Sequence, residues 1–257
     1  MYTIAYFSPT GNTKHVAILF QNHLRVDRIF PLEHINAVDI PSADHLILLF
    51  VIHGFNAPKP VISFAKQLEP YKFRKVSLIA VGCNTTWVND AASKEVRTIL
   101  NKKGYSIALD EVIAMPLNII KNFPESTIHN LIKEIEGKVI ILASKLDDEN
   151  TYHQKIPFKT QLIHTIGKIE PFASKLFGLE LYANKKCHHC GLCVLECPAK
   201  NIQMKDTRKI KFGFNCMMCM RCIYNCPTKA IEPRISKFIP IKNGYSIKNY
   251  LSDGVNK

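Results

Sequence analysis

Cysteines carry the clearest chemistry in this sequence of 257 residues, because eight of the nine fall within one short stretch. They form two runs with the same spacing, C-x2-C-x2-C-x3-C-P, which begin at Cys187 and at Cys216. Three thiolates spaced by two residues can wrap one side of a cube-shaped metal cluster, and a fourth ligand must then come from elsewhere. The spacing therefore predicts a stretch that ligates such clusters.

Zinc sites and disulfide bonds are the alternatives for these cysteines. Zinc modules usually separate two cysteine pairs by a longer insert, whereas three cysteines here fall within seven residues. Disulfides are typical of exported proteins, but the chain begins MYTIAYFSPTG, without a basic segment, an apolar segment or a cleavage site. We therefore expect a cytoplasmic protein with reduced thiols. His188 and His189, which lie between cysteines, are expected to face solvent.

The cysteine-rich stretch closely resembles the two-cluster ferredoxins of bacteria, in which the fourth cysteine of each run ligates the other cluster. The resemblance implies a small α+β domain with two 4Fe-4S clusters. One cluster would be held by Cys187, Cys190, Cys193 and Cys226, and the second by Cys216, Cys219, Cys222 and Cys197.

A second candidate site follows the first apolar run of the chain. The strand-like run Tyr2 to Phe7 leads into a hydroxyl-rich loop and then into a helical pattern. Hydroxyls and the backbone amides at the positive end of a helix can bind a phosphate dianion. The candidate phosphate contacts are Ser8, Thr10, Gly11, Asn12 and Thr13.

This loop resembles the FMN phosphate loop of flavodoxins, which reads T/S-x-T-G-N-T. The resemblance implies an FMN cofactor whose ring lies against the loops after the third and fourth strands. The candidate ring contacts are His53, Gly54, Phe55, Asn84 and Trp87. Phe55 and Trp87 are candidates for stacking on the ring. Core packing of Trp87, a structural role for His53 and a flavodoxin-like domain without flavin are the alternatives.

The intervening sequence predicts an α/β doubly wound parallel sheet. Strand-like runs at 25–30, 45–52, 75–82 and 105–114 alternate with helix-like runs at 59–68, 91–100 and 126–143. Ligands of such sheets bind beyond the carboxyl ends of the strands, which is where the candidate loops fall. Only fourteen residues separate the second run from the third, so a crossover helix there would have to be very short.

Four segments are expected along the chain. They are a flavodoxin-like FMN-binding domain at 1–146, a helical linker at 147–180, a two-cluster ferredoxin domain at 181–233 and a C-terminal tail at 234–257 without a recognisable motif. The linker is basic and amphipathic, which predicts helices that pack the domains together or, as the alternative, contact with a membrane surface. No apolar run approaches the roughly 20 residues needed to cross a bilayer.

The formal charge of +13 would fall to roughly +7 with two clusters and a phosphate dianion bound. We expect such a basic surface to attract acidic redox partners, such as small ferredoxins. Nucleic acid binding is not expected, because the basic residues are interspersed and no recognised binding motif accompanies them.

Taken together, the segments resemble bacterial fusions of a flavodoxin-like domain with a two-cluster ferredoxin, found especially in anaerobes. The resemblance implies electron transfer between FMN and the clusters, and onward to a redox partner protein such as a ferredoxin or an oxidoreductase. The alternatives are a ferredoxin-dependent flavin reductase that acts on a small molecule, and a redox sensor without flavin. No G-x-G-x-x-G motif supports a nicotinamide site.

Overall fold

Six parallel strands form the main sheet of the computed structural model, which describes residues 1–83, 87–121, 123–146, 152–153, 158–205 and 209–251. The strands are β1 Tyr2–Phe7, β2 Ile29–Pro31, β3 His45–Val51, β4 Lys75–Gly82, β5 Ser106–Ala114 and β6 Tyr152–His153. Their order in the sheet is β2-β1-β3-β4-β5-β6. The first five strands follow the order 2-1-3-4-5 of flavodoxin-like folds. The predicted α/β doubly wound sheet is therefore confirmed.

Helices cover both faces of this sheet. They are α1 Asn12–Leu24, α2 Lys59–Gln67, α3 Lys94–Lys102 and α4 Glu125–Ser144. Alternate residues of β3 point to opposite faces, so that Leu48 packs with α2 and α3 while Leu49 packs with α1 and α4. Burial on both faces explains why β3 and β4 are apolar without interruption.

The edge around β2 differs from the predicted strand at 25–30. Arg25 has a φ of 53° and donates its amide to Gln21 O, which ends α1 and leaves only Ile29–Pro31 for the strand. Residues 32–44, all of which are described, contain no helix. Ala37 and Ile40 are buried there instead, so turns cover the sheet where thirteen residues leave little room for a helix.

The cysteine-rich segment contains two small antiparallel pairs of strands and two short helices. The strands are β7 Leu181–Ala183, β8 Ile202–Met204, β9 Ile210–Phe212 and β10 Ile231–Pro233, and the helices are α7 Leu192–Leu195 and α8 Arg221–Tyr224. β7 pairs with β10, which joins the two ends of the segment, and β8 pairs with β9 between the cysteine runs. This is the small α+β ferredoxin-like arrangement.

Two further helices, α5 Phe158–Gly167 and α6 Glu170–Glu180, lead from the main sheet into the cysteine-rich segment. The predicted linker also contains β6, which adds a sixth strand beside β5. Within the residues described above, no helix combines the length and the apolar character needed to cross a bilayer.

The tail after β10 is part of the fold, although no motif predicts this. Ile241, Tyr245 and Ile247 are buried in the core that α1 and α4 share with the sheet. A last short helix, α9 Lys248–Leu251, packs against α4. The tail thereby returns to the N-terminal end of α1.

Candidate functional site

Two neighbouring cavities in the cysteine-rich segment are lined by cysteines of both runs. Cys187, Cys190, Cys193 and Cys226 line the first, and Cys197, Cys216, Cys219 and Cys222 line the second. Cys222 also borders the first cavity, so the two cavities are adjacent. The structure thus brings together three cysteines of one run and the fourth cysteine of the other run in each case. Their role as cluster ligands stays a prediction.

The two cysteine runs repeat in backbone geometry as well as in spacing. The amide of Asn201 donates to Cys197 Sγ at 3.2 Å, and the amide of Ala230 donates to Cys226 Sγ at 3.3 Å. In both runs the residue before the donating amide has a left-handed conformation, with φ of 48° at Lys200 and 49° at Lys229. Amide donors aimed at sulfur stabilise a thiolate, which is the form that binds metal.

Burial makes free thiolates unfavourable at several of the other cysteines. Burial, and then the charges of neighbouring cysteines, raise the pKa of Cys193 and Cys216 to about 11. Burial raises the pKa of Cys219 to about 12, although the nearby Arg221 guanidinium opposes the shift. A cationic metal core would stabilise thiolates that the surrounding protein does not.

The arrangement of the cysteines is compatible with a polynuclear cluster. Among the described residues, no group of three or more His, Cys, Asp or Glu side chains is arranged to hold a single metal ion. Each cysteine quartet surrounds a cavity, which suits four thiolates that bind the corners of a cube. His188 is not needed as a ligand in this arrangement.

The phosphate loop, defined as residues 8–13, has the geometry of an anion site. It joins β1 to α1 at the carboxyl edge of the sheet, and Gly11 has a φ of 102°. The amides of residues 10–13 donate to no backbone acceptor in the described part of the chain. Gly11, the N-cap of α1, has no side chain that could cap the helix, and the first turn carries no acidic residue. Free amides at the positive end of a helix fit a phosphate group.

Some side chains of the phosphate loop already have protein partners. Ser8 Oγ accepts from the amide of Lys14 at 3.0 Å, and Thr10 Oγ1 accepts from Asn118 Nδ2. Thr13 is buried at the start of α1. The loop therefore offers its backbone amides more freely than its hydroxyls.

Asn12 links the phosphate loop to the tail. Its Nδ2 donates to Pro116 O at 2.8 Å, and its Oδ1 accepts from the Tyr245 hydroxyl at 2.6 Å. A Cβ on Gly11 would lie only 2.9 Å from Ile247 Cγ2. The Asn12 side chain is thus committed to structural bonds, and its backbone amide is what it offers to a phosphate.

The two predicted ring loops carry exposed aromatic side chains. Phe55, with a φ of 64°, is 39% exposed, and Trp87 is 45% exposed, so Trp87 does not belong to the core. His53 and Asn56 exchange backbone hydrogen bonds of 2.9 and 2.8 Å, which close the tight turn that contains Gly54. Burial lowers the pKa of His53 to about 4. Asn84 lies outside the described residues.

The linker helices pack over both ring loops. A Cβ on Gly167 would lie 1.9 Å from Gly54 O, so only glycine permits this approach of α5 to the first loop. The Thr160 hydroxyl of α5 donates to Trp87 O at 2.8 Å in the second loop. The linker therefore helps to position both candidate loops.

Arg221 ties the second cysteine run to the phosphate loop. Its side chain is only 12% exposed and forms an ion pair with Glu33, which is 8% exposed. The guanidinium also donates to Ser8 O at 2.9 Å, Pro9 O at 3.0 Å and Glu196 O at 3.2 Å. Sequence reasoning missed this residue. The sequence does contain a signal, because Arg221 places a positive charge directly before Cys222, whereas Leu192 occupies the equivalent position of the first run.

A cleft of about 730 Å³ opens beside the second cysteine quartet. Its wall includes His53 and Asn56 from the first ring loop and Cys216 from the quartet. Charged side chains of both signs line it, namely Glu33, Lys59, Glu95, Lys168, Glu170, Lys175 and Lys200. The cleft is large enough for a small organic molecule.

Comparisons with known proteins give one match to a family. Residues 180–227 match the family model described as a 4Fe-4S dicluster domain. No curated protein matches the chain.

Among solved structures, the chain is similar to several flavodoxins. Oxidised Flavodoxin 2 from Bacillus cereus is 18% identical, with a TM-score of 0.40 over 56% of this chain and 98% of that one. The Streptococcus pneumonia TIGR4 flavodoxin is 18% identical, with a TM-score of 0.38 over 56% of this chain and 98% of that flavodoxin. A flavodoxin from the domain Archaea is 12% identical, with a TM-score of 0.40 over 58% and 100%.

The strand order of the main sheet and the family match therefore lead to one conclusion: the chain joins a sheet of the flavodoxin-like fold to a small cysteine-rich segment that matches the 4Fe-4S dicluster family model.

Proposed function

We propose that the protein is an electron-transfer iron-sulfur flavoprotein that passes electrons between FMN and two 4Fe-4S clusters, and on to a redox partner protein. The observation that carries this proposal is the Arg221 bridge. It binds the backbone of the phosphate loop at Ser8 and Pro9 from a position next to Cys222. The two candidate cofactor sites are thereby fixed beside each other, which short-range electron transfer requires.

The proposed ligands follow from the two cysteine-lined cavities. We assign the first quartet, which ends in Cys226, to one cluster and the second, which includes Cys197, to the other. Crossed ligation would tie the halves of the segment 181–233 together, in the same way that β7 and β10 pair its two ends. The amides of Asn201 and Ala230 would stabilise the reduced clusters by donating to ligand sulfur.

The FMN site is proposed at the carboxyl edge of the main sheet, within residues 1–146. FMN accepts electrons in pairs and releases them singly, whereas a cluster exchanges one at a time. The free amides of residues 10–13 would bind the phosphate, and Thr10 and Thr13 would border it. The exposed rings of Phe55 and Trp87 would flank the flavin ring, with His53 and Gly54 in the adjoining turn.

The charge of the chain supports a negatively charged partner. With +13 before cofactors are counted, the protein would attract an acidic ferredoxin or an acidic face of an oxidoreductase. We propose that this encounter takes place in the cytoplasm, since reduced thiols are needed to assemble the clusters.

The proposal is tested by cofactor analysis of protein prepared without oxygen. We expect about eight irons, about eight sulfides and about one flavin per chain, and loss of flavin and cluster absorption together on addition of dithionite. Iron and sulfide without flavin would leave an iron-sulfur carrier and remove the flavin part. Zinc or metal-free thiols would refute the cluster assignment.

A paired substitution separates the two cofactor sites. Thr10→Ala combined with Thr13→Ala should weaken flavin retention and leave the iron content unchanged. Thr98→Ala, at an exposed threonine of α3, is the matched control and should retain both cofactors. Unchanged flavin affinity in the double variant would contradict a role of these two hydroxyls at the phosphate.

The cleft beside Cys216 favours a second candidate function, the reduction of a small molecule. It lies between the first ring loop and the second cysteine quartet, so a bound acceptor would be near both. This function requires that a small acceptor oxidises the reduced protein, at a rate that saturates as the concentration of the acceptor rises. A rate that depends only on a carrier protein would exclude it.

A further inference from the structure

The helices α5 and α6 are amphipathic in the reverse of the usual sense. Their solvent side carries large apolar side chains, each 49–64% exposed: Leu162, Ile166, Ile169, Phe172, Leu176 and Leu179. Their buried side carries one large apolar residue, Phe177, and otherwise small or polar residues, namely Thr160, His164, Gly167, Ser174 and Gly178. In a helix that only packs against its own protein, the apolar stripe faces inward.

Close packing fixes this orientation. Gly167 lies against Gly54 in the first ring loop, and a Cβ on Gly178 would lie 2.3 Å from the Cβ of Cys216. Neither helix can rotate its large side chains inward without losing these contacts. The exposure of the apolar side chains is therefore built into the fold and is not caused by loose attachment of the helices.

The same surface continues into the tail. Glu180, the last residue of α6, accepts the amides of Ile235 and Ser236 at 2.8 and 3.0 Å, which brings the tail beside the end of the helix. Ile235 and Phe238 are exposed there. The apolar face consists of Leu162, Ile166, Ile169, Phe172, Leu176, Leu179, Ile235 and Phe238. Exposed apolar patches of this extent mark interaction surfaces.

Among the described residues of α5, α6 and the tail, the free charges around the apolar face are positive. Lys159, Lys168 and Lys237 are exposed on the same segments. The acidic residues there are engaged: Glu170 bonds the Ser174 hydroxyl, and burial raises the pKa of its carboxyl. Glu180 is occupied by the two tail amides. An apolar surface bordered by lysines is complementary to the headgroups and acyl chains of anionic lipids.

We propose that the apolar face binds the surface of a bilayer that contains anionic lipids, with α5 and α6 lying parallel to it. A second copy of the chain fits this surface less well, because the lysines of two copies would repel each other across the contact. The side chains also protrude, and protruding apolar groups enter a lipid interface without needing a matching groove. Electron transfer would then take place at a membrane surface.

The test is sedimentation of the oxygen-free, cofactor-loaded protein with lipid vesicles. We expect it to bind vesicles of phosphatidylcholine mixed with phosphatidylglycerol, and to bind phosphatidylcholine vesicles weakly. Added salt should weaken the binding, because it screens the lysines. Phe172→Glu combined with Leu176→Glu should lower the partition coefficient by about tenfold or more.

A matched control is Ile141→Glu, which places the same charge at an exposed apolar residue of α4. It should bind vesicles as the wild type does. Iron content and visible absorption confirm that each variant is folded. The proposal is overturned by wild-type protein that stays in the supernatant, by a double variant that binds unchanged, or by a dimer in solution that the double variant dissociates.

Discussion

At the scale of single residues, Arg221 has the most consequential set of contacts. It is a buried cation with one carboxylate and three backbone carbonyls as partners, and it follows Met220, which starts α8 in a left-handed conformation. A positive charge beside a cluster favours the reduced state, which carries one more negative charge. Arg221 therefore positions the second cysteine run and would also raise the potential of the cluster proposed there.

We expect Arg221→Gln to lower the potential of one cluster by tens of mV, on the order of the loss of one nearby charge. A redox titration followed by electron paramagnetic resonance measures this shift. Arg234→Gln, which removes an exposed arginine stacked on Tyr182, should leave both potentials unchanged. Equal potentials in the wild type and Arg221→Gln would refute the electrostatic role.

Because Arg221→Gln leaves the Glu33 carboxylate buried without its partner, the single variant should also lose about 3 kcal/mol or more of folding free energy. Combining it with Glu33→Gln removes the stranded charge, so it should recover most of that stability and also return the potential toward the wild-type value, because a nearby negative charge is lost as well. A potential that follows the net charge of this pair would separate the electrostatic effect of Arg221 from its role in folding.

His53 gives a residue-scale prediction for pH. Its pKa is about 4 in the folded protein, because burial disfavours the charged imidazolium, and about 6.5 when unfolded. The unfolded state therefore binds more protons between these values, so His53 makes the protein less stable as pH falls below about 6.5. The loss reaches at most about 3 kcal/mol once the pH is below both values.

The measurement is thermal unfolding of the wild type and of His53→Gln between about pH 7.5 and about pH 5.5. The difference in stability between the two proteins should change by about 1 kcal/mol over this range. Any loss of clusters in acid affects both proteins, so the difference between them isolates His53. A constant difference across this range would show that the imidazole is already accessible to protons.

At the scale of elements, sequence reasoning succeeds where burial imposes one pattern. The strand at 75–82 is predicted with the bounds of β4, and 45–52 exceeds β3 by one residue, because strands buried on both faces are apolar throughout. The strand at 25–30 fails because Arg25 ends α1 in a conformation that its residue type does not favour. A local sequence pattern indicates the period of a helix or strand. It does not indicate where tertiary packing places the turn that ends the element.

For the candidate site, the cysteine spacing and the phosphate loop could be found by sequence because each is a contiguous motif. The packing of α5 over the ring loops and of the tail against the phosphate loop could not be found in this way. The contact of Ile247 with Gly11 and the bonds of Arg221 to Ser8 and Pro9 join residues more than two hundred positions apart. No periodicity indicates such pairs in a single sequence.

Two helical glycines, one in α6 and one in α4, provide a pair of substitutions with opposite expected effects. Gly178→Ala forces a Cβ within 2.3 Å of the Cβ of Cys216, so the second cysteine run must move. We expect loss of the second cluster, seen as about half of the wild-type iron content, together with a lower Tm. Gly137→Ala, where nothing lies within 4 Å, should keep all the iron and raise stability by about 0.5–1 kcal/mol. Full iron content in Gly178→Ala would contradict this packing.

At the scale of the whole molecule, the phosphate loop is the point where distant parts of the chain meet. The second cysteine run reaches it through Arg221, the loop after β5 through Asn118, and the tail through Tyr245. Tyr224 of α8 joins two of these parts, since its hydroxyl donates to Asn118 O at 2.7 Å and accepts from the amide of Ile241 at 3.0 Å. The flavodoxin-like and iron-sulfur parts should therefore unfold together.

Tyr245 tests this coupling, because its hydroxyl is the polar link between the tail and Asn12. Tyr245→Phe keeps the buried ring and removes the hydrogen bond, which leaves Asn12 Oδ1 without a partner at a buried position. We expect a loss of about 1–2 kcal/mol in urea unfolding and faster release of flavin, since Asn12 begins the helix whose amides face the proposed phosphate. Tyr250→Phe, a neighbouring ring 6.1 Å away, is the control and should leave both quantities unchanged. If Tyr245→Phe lowers stability and leaves flavin release unchanged, the tail supports the fold without reaching the proposed cofactor site.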